Sequence, residues 1–135
     1  MPYTILEHTA DVRMHVEAES LEGLFRDALL GMMAIIKPNP EAGREPITRT
    51  FSLSAVDLTA LLVDFLNESL FQSHTNKEVY TSVTFPKFRK TSLAAELTGV
   101  SVDEFDEDIK AATYHEADVK KNKDGKWETN LVFDI

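Results

Sequence analysis

Apolar Val12, Met14, Val16 and Ala18 alternate with polar Arg13, His15, Glu17 and Glu19. A period of two predicts a half-buried strand, with one face on a core and the other in water. Ser20 stands where a helix N-cap is wanted, and beyond it Leu21, Leu24, Phe25, Ala28, Leu29, Met32 and Ile36 recur at helical spacing. Residues 37–46 hold three prolines and read as an exposed loop. Residues 47–55 predict a second strand, with Phe51 and Leu53 on one face and Thr50, Ser52 and Ser54 on the other. Asp57 is placed to cap a second helix, with Val56 before it expected to staple against Leu61. That helix carries the stripe Leu58, Leu61, Leu62, Phe65, Leu66 and Leu70 and should end near residues 74–76.

The last third reads as strand: residues 78–89, 92–97, 111–121 and 127–133. Asn122-Lys123-Asp124-Gly125 has hairpin chemistry, because Asp-Gly tolerates positive φ. The order is β-α-β-α-β-β-β-β, with a further short opening strand expected at residues 3–6. One-sided strands and two amphipathic helices predict an α+β fold, a single domain over residues 1–135, in which the helices pack on a mainly antiparallel sheet.

Composition narrows the function. The chain has 14 Lys and Arg against 23 Asp and Glu, a net charge of −9. That charge opposes non-specific binding to phosphate backbones, so no stable direct contact with nucleic acid is expected. There is no cysteine, which excludes thiol catalysis, zinc ribbons and iron–sulfur sites. The longest run without a charged residue, residues 28–36, is far short of the ~20 residues a membrane span needs. Together with the lack of a leader-like stretch, these features fit a cytoplasmic protein.

Familiar catalytic signatures are missing. Five scattered glycines allow neither a phosphate loop nor a dinucleotide fingerprint, and no zinc-protease or nucleophile-elbow motif occurs. The acidic run 103–108 cannot be a calcium loop, since Asp108 stands where glycine is needed and Tyr114 where glutamate is needed. It reads as a solvated loop. Asn67-Glu68-Ser69 matches a glycosylation pattern only by chance, inside a helix.

Two segments retain chemical interest. His8-Thr9-Ala10-Asp11 precedes the first alternating strand, and read alone it is a turn in which Thr9 or Asp11 caps backbone amides. Lys110-Ala111-Ala112-Thr113-Tyr114-His115 opens a later strand, and read alone it is an edge strand with a packed Tyr114 and an incidental His115. The sequence finishes Phe133-Asp134-Ile135, a strand end that brings the Asp134 side chain and a main-chain carboxylate close together. A metal-dependent hydrolase built on Asp11 and these carboxylates, with His8 or His115 as base, is the enzymatic alternative. A general chaperone or RNA-binding module is the third class considered.

In order and spacing, His8-Thr9-Ala10-Asp11, Lys110-Ala111-Ala112-Thr113-Tyr114-His115 and the final Asp134-Ile135 resemble the archease family, and the resemblance covers essentially the whole chain. It implies a small acidic, chaperone-like protein that is not itself an enzyme. Such a protein activates the tRNA-splicing RNA ligase, promotes its guanylylation and multiple turnover, and can broaden its nucleotide use in tRNA processing. It further implies a divalent metal held by oxygen ligands from Asp11, Asp134 and the main-chain carboxylate of Ile135. Calcium is preferred for that donor set, with magnesium or manganese as alternatives. His8, Lys110 and His115 fall at motif positions that would face the ligase. Arg13 and Val100 depart from the small and acidic residues usual in the family at those places.

Overall fold

A computed structural model describes residues 11–135; the opening strand expected at residues 3–6, and His8, lie outside the described residues. The elements run β1 (Asp11–Ala18), α1 (Leu21–Ile36), β2 (Ile47–Ser54), α2 (Leu58–Asn76), β3 (Glu78–Phe88), β4 (Ser92–Ser101), β5 (Ala111–Thr113), β6 (Lys120–Lys121) and β7 (Trp127–Asp134). Every pairing is antiparallel, as expected for the α+β class, but the strands form two sheets and not one. One sheet has the order β1-β7-β5, with β6 also pairing β7; the other has the order β2-β4-β3. In both, a strand late in its group lies between earlier ones, so local hairpin order does not set the sheet order.

Both helices start where their caps stand. Ser20 Oγ accepts from the Gly23 N–H at 3.0 Å, and Asp57 Oδ1 accepts from the Ala60 N–H at 2.8 Å. The apolar stripe of α1 buries Leu24, Phe25, Ala28, Leu29, Met32 and Ile36, and that of α2 buries Leu61, Leu62, Phe65 and Leu66. Each helix touches strands of both sheets, α1 through β1 and β3, α2 through β5, β2 and β3. The core is therefore one continuous body filled by Phe25, Phe51, Phe65, Phe85 and Phe88, whose neighbouring rings lie 5.0–6.4 Å apart, several edge-on. Each fully buried ring or aliphatic side chain stabilises the fold by about 1.5–3 kcal/mol over leaving it exposed.

Three expectations need correction. Val56 does not staple against Leu61; it is 89% exposed while Leu61 is fully buried. The Ala55 N–H bonds to Thr91 O and prolongs the β2–β4 ladder, so alternation keeps Ala55 inward and turns Val56 out. Residues 111–121 are not one strand. Pairing stops at Thr113, a turn follows in which the Ala117 N–H bonds to Tyr114 O and Glu116 takes φ 64°, and pairing resumes at Lys120. Tyr114 consequently stands 57% exposed and is not packed in the core. The acidic run is a loop as expected, yet it is fastened down: Asp103 pairs with Arg44 at 2.9 Å, and the Asp106 N–H donates to Ile36 O at 2.8 Å.

Among the described residues one charge is truly buried. Glu78 is 2% exposed, and its carboxylate accepts from Arg49 Nε at 2.9 Å, Arg49 Nη2 at 2.7 Å and the Tyr80 hydroxyl at 2.9 Å. Burial alone would raise its pKa, but the hydrogen bonds from Arg49 and Tyr80 outweigh it and the net direction is downward. Beside it Gly99 faces Tyr80 across the β3–β4 pair where the register shifts. A Cβ at Gly99 would fall 1.9 Å from Val79 O, so a side chain there collides with backbone.

Two stability measurements follow from this packing. Glu78→Gln should lower stability by about 1.5–3 kcal/mol near neutral pH, because a charge-assisted pair is lost while the guanidinium keeps some water. A carboxyl whose folded pKa is depressed stabilises above its unfolded value and stops doing so as pH falls through the folded one. The gap between the native chain and Glu78→Gln should therefore shrink below roughly pH 4, as read by urea unfolding across pH. Gly99→Ala should cost roughly 3 kcal/mol, the upper part of the ordinary single-substitution range, measured as a drop in Tm at neutral pH.

Candidate functional site

The strand register gathers most of the motif residues at one end of the β1-β7-β5 sheet. Asp11 pairs with Asp134, and Asp134 pairs on its other side with Ala111. The Lys110 N–H donates to Asp134 O at 2.7 Å, fixing the start of the late motif to the end of β7. Side chains directly opposite on one face of an antiparallel pair have Cβ atoms roughly 5 Å apart, so the Asp11 and Asp134 carboxylates are neighbours. Asp11 and Ile135 are half-buried and Asp134 is exposed. Two like charges held opposite each other repel, and oxygen donors at such spacing suit a hard divalent cation. The donor set therefore fits the oxygen-ligated metal that the motif implies.

Alternation fixes what else shares this face. Along β1, Arg13, His15 and Glu17 are exposed on the face that half-buried Asp11 shares, while Met14 and Val16 turn inward; Met14 closes on Gly31 of α1. Along β7, Glu128, Asn130 and Asp134 face outward, Val132 shares their face but is buried, and Thr129, Leu131 and Phe133 are buried on the other face. Arg13 reaches across to Glu116 at 3.1 Å, an exposed pair of small energetic weight.

The late motif is held by α2. Asn67 Nδ2 donates to Ala112 O at 2.9 Å and Asn67 Oδ1 accepts from the Ala112 N–H at 2.8 Å, so one amide side chain completes the free edge of β5 as a strand would. The Tyr114 hydroxyl donates to Asp64 Oδ1 at 2.6 Å, and Thr59 Oγ1 accepts from the Val119 N–H at 3.0 Å. That bond to the Asp64 carboxylate, with a smaller effect of burial, raises the Tyr114 pKa. Residues 112–119 thus run along the polar flank of α2, opposite its apolar stripe.

Asp11, Asp134, Ile135 and Lys110 meet at one sheet end. His115 does not join them: it follows Tyr114 beyond the end of β5, exposed, with its N–H directed to Thr113 Oγ1 at 3.3 Å. Asp64 and Asn67 escaped the sequence reading. Their signal was a polar pair at i, i+3 beside the apolar stripe of an amphipathic helix, and nothing in the chain says which strand such a pair would meet. An open, mostly apolar groove of about 230 Å³, lined by Leu30, Met33, Lys37, Pro38, Val79 and Thr81, lies between α1 and β3 and away from these groups.

Comparison with known proteins places this arrangement. The profile of the archease protein family matches residues 3–135. The protein archease of Methanosarcina barkeri is 30% identical over 141 residues, spanning 98% of this chain and 95% of the relative. That of Pyrococcus abyssi is 31% identical over 137 residues, spanning 96% and 95%. Among solved structures, an archease and possible chaperone from Thermotoga maritima superposes with a TM-score of 0.71 at 18% identity, covering 98% of this chain and 97% of that one. A solution structure from Methanobacterium thermoautotrophicum gives 0.68 at 22% identity, covering 96% of each. At such identities the structures speak for the fold, and the sequence matches speak for kinship. With motif order, fold and full-length similarity in agreement, the chain belongs to the archease family.

Proposed function

We propose that this protein activates the tRNA-splicing RNA ligase, promoting its guanylylation and multiple turnover without being a ligase itself. Family membership over residues 3–135 supports this reading, and the observation that carries it is the register that sets Asp11 against Asp134 beside Lys110. In this reading Asp11, Asp134 and the main-chain carboxylate of Ile135 hold a divalent cation, calcium by preference, since a site with oxygen donors alone favours hard ions. The cation would relieve the repulsion between the facing carboxylates and present positive charge at an acidic surface.

Lys110, whose N–H bonds to Asp134 O just before β5, would meet phosphate or carboxylate groups of the ligase. Tyr114 and His115 stand exposed on the same segment, which α2 holds through Asn67 and Asp64. A chain with net charge −9 is drawn to the basic RNA-binding cleft of a ligase, so encounter should be fast at low salt and slower as salt screens the charges.

The direct test is multiple-turnover ligation of RNA ends by the cognate ligase with and without this protein. Stimulation at sub-stoichiometric amounts, with faster guanylylation, is expected; an unchanged ligase, or phosphoester turnover by the isolated protein, would contradict the proposal. Asp11→Asn and Asp134→Asn should each abolish most of the stimulation and weaken calcium binding, with Tm little changed because neither side chain belongs to the core. One residue added after Ile135, which turns its carboxylate into an amide, should do the same. Normal stimulation by all three would remove the metal site from the mechanism.

A further inference from the structure

Further along the outward face of the β1–β7 pair is a second group of metal-ligating side chains that the activator reading does not use. One ligand atom each from His15, Glu17 and Glu128 lies within 4.8 Å of the others. The register explains the grouping: Glu17 stands directly opposite Glu128, and His15 opposite Asn130, one diagonal away. Like charges directly opposite are unfavourable unless something positive is shared between them.

The hydrogen bonding of His15 supplies a second, independent pointer. Asn130 Oδ1 lies 2.8 Å from His15 Nδ1, and the tautomer that makes this hydrogen bond has Nδ1 as its donor. The lone pair is then on Nε2, and Nε2 faces Glu128 Oε2 at 3.5 Å. Two lone-pair atoms aimed at each other make a place that a cation, a proton or a metal ion, would fill. A histidine held through its other nitrogen by an amide oxygen is also the usual way such a ligand is oriented.

We propose that His15, Glu17 and Glu128 form a divalent-cation site for a borderline ion such as Zn²⁺, separate from the carboxylates of Asp11 and Asp134. One imidazole nitrogen and two carboxylate oxygens suit Zn²⁺, with a fourth position left to water or to a partner's group. Glu17 is held by Asn122 Nδ2 at 2.9 Å, which fixes it to the β6–β7 turn, while the Lys126 ammonium lies 3.7 Å from its other oxygen. Lys126 and Lys120, the neighbour of Glu128 on β6, are solvated enough to swing aside when the ion enters. His15 is about half exposed, so the ion has a path from solvent. Four residues of strand, roughly 13 Å, separate His15 from Asp11, which keeps the two sites distinct.

The test is titration of the full chain with Zn²⁺, and with Co²⁺ as its coloured substitute, in millimolar Ca²⁺ so that oxygen-only sites are already filled. One equivalent should bind, with visible Co²⁺ absorption and a shift of the His15 ring resonances in NMR spectra. His15→Ala and Glu128→Gln should each weaken binding roughly tenfold or more, Asn130→Ala should weaken it while leaving all three ligands, and Asp11→Asn should change nothing. All of these positions are at the surface of the sheet, and circular dichroism confirms that each variant is folded. Binding that survives His15→Ala and Glu128→Gln, or is lost in Asp11→Asn, would overturn the proposal. So would a His15 ring that responds to pH but not to Zn²⁺, since the bridging cation would then be a proton. The inference does not rest on the ligase reading, and failure of either leaves the other standing.

Discussion

The insertion of β7 between β1 and β5 is the constraint on which the rest depends. Asp134 lies more than a hundred residues from Asp11 in sequence, yet the two are direct partners, and Ala111 closes the other side of the same residue. A contact of that separation carries the loop-closure entropy of nearly the whole chain, so it forms only if enough apolar surface is buried with it. Thr129, Leu131 and Phe133 supply that surface from the inner face of β7, against α1 and the central phenylalanines. Because side chains alternate, the same burial that seats those residues turns Glu128, Asn130 and Asp134 outward. The functional face is therefore set by the core, one residue out of phase with it.

Helix α2 has two duties, separated by face. Its leucines and Phe65 join the two sheets, while Thr59, Asp64 and Asn67 accept or donate along residues 112–119. Asn67 satisfies both polar groups of Ala112, whose edge would otherwise be open to another strand. A segment with only three paired residues in β5 and two in β6 is thus held by side chains where the ladder is too short to hold it. That leaves Tyr114 and His115 displayed on a turn that is anchored at both ends.

The outward face carries two different donor sets. At one end Asp11 and Asp134 offer oxygen alone; further along, His15 adds a nitrogen to two glutamates. Ligand softness separates the ions that two such donor sets would prefer. Arg13 stands between them, tied to Glu116, and separates their fields. The buried ion pair of Glu78 with Arg49 lies on the other sheet, where it fixes how β2 and β3 sit on β4.

Periodicity and capping chemistry, which are local, were enough for the element types, for both helix starts at Ser20 and Asp57, and for which face of β1 meets the core. The motif order was enough for the family; it set Asp11, Asp134 and Ile135 apart as metal ligands and His8, Lys110 and His115 as partner-facing, and the register then brings Lys110 to the Asp134 end of the sheet but not His115. What failed locally failed for tertiary reasons: Val56 turned out because the β2–β4 ladder continues through the Ala55 N–H bond to Thr91 O, so alternation points the next side chain to solvent, and the stretch 111–121 is interrupted by a turn that α2 holds by side chains. The division into two sheets, the central place of β7, the partners of Asp64 and Asn67, and the meeting of His15 with Glu17 and Glu128 were decided only by the tertiary structure. Each is a pairing across long sequence separation, and an alternating strand pattern says which face is inward but not which strand lies beside it.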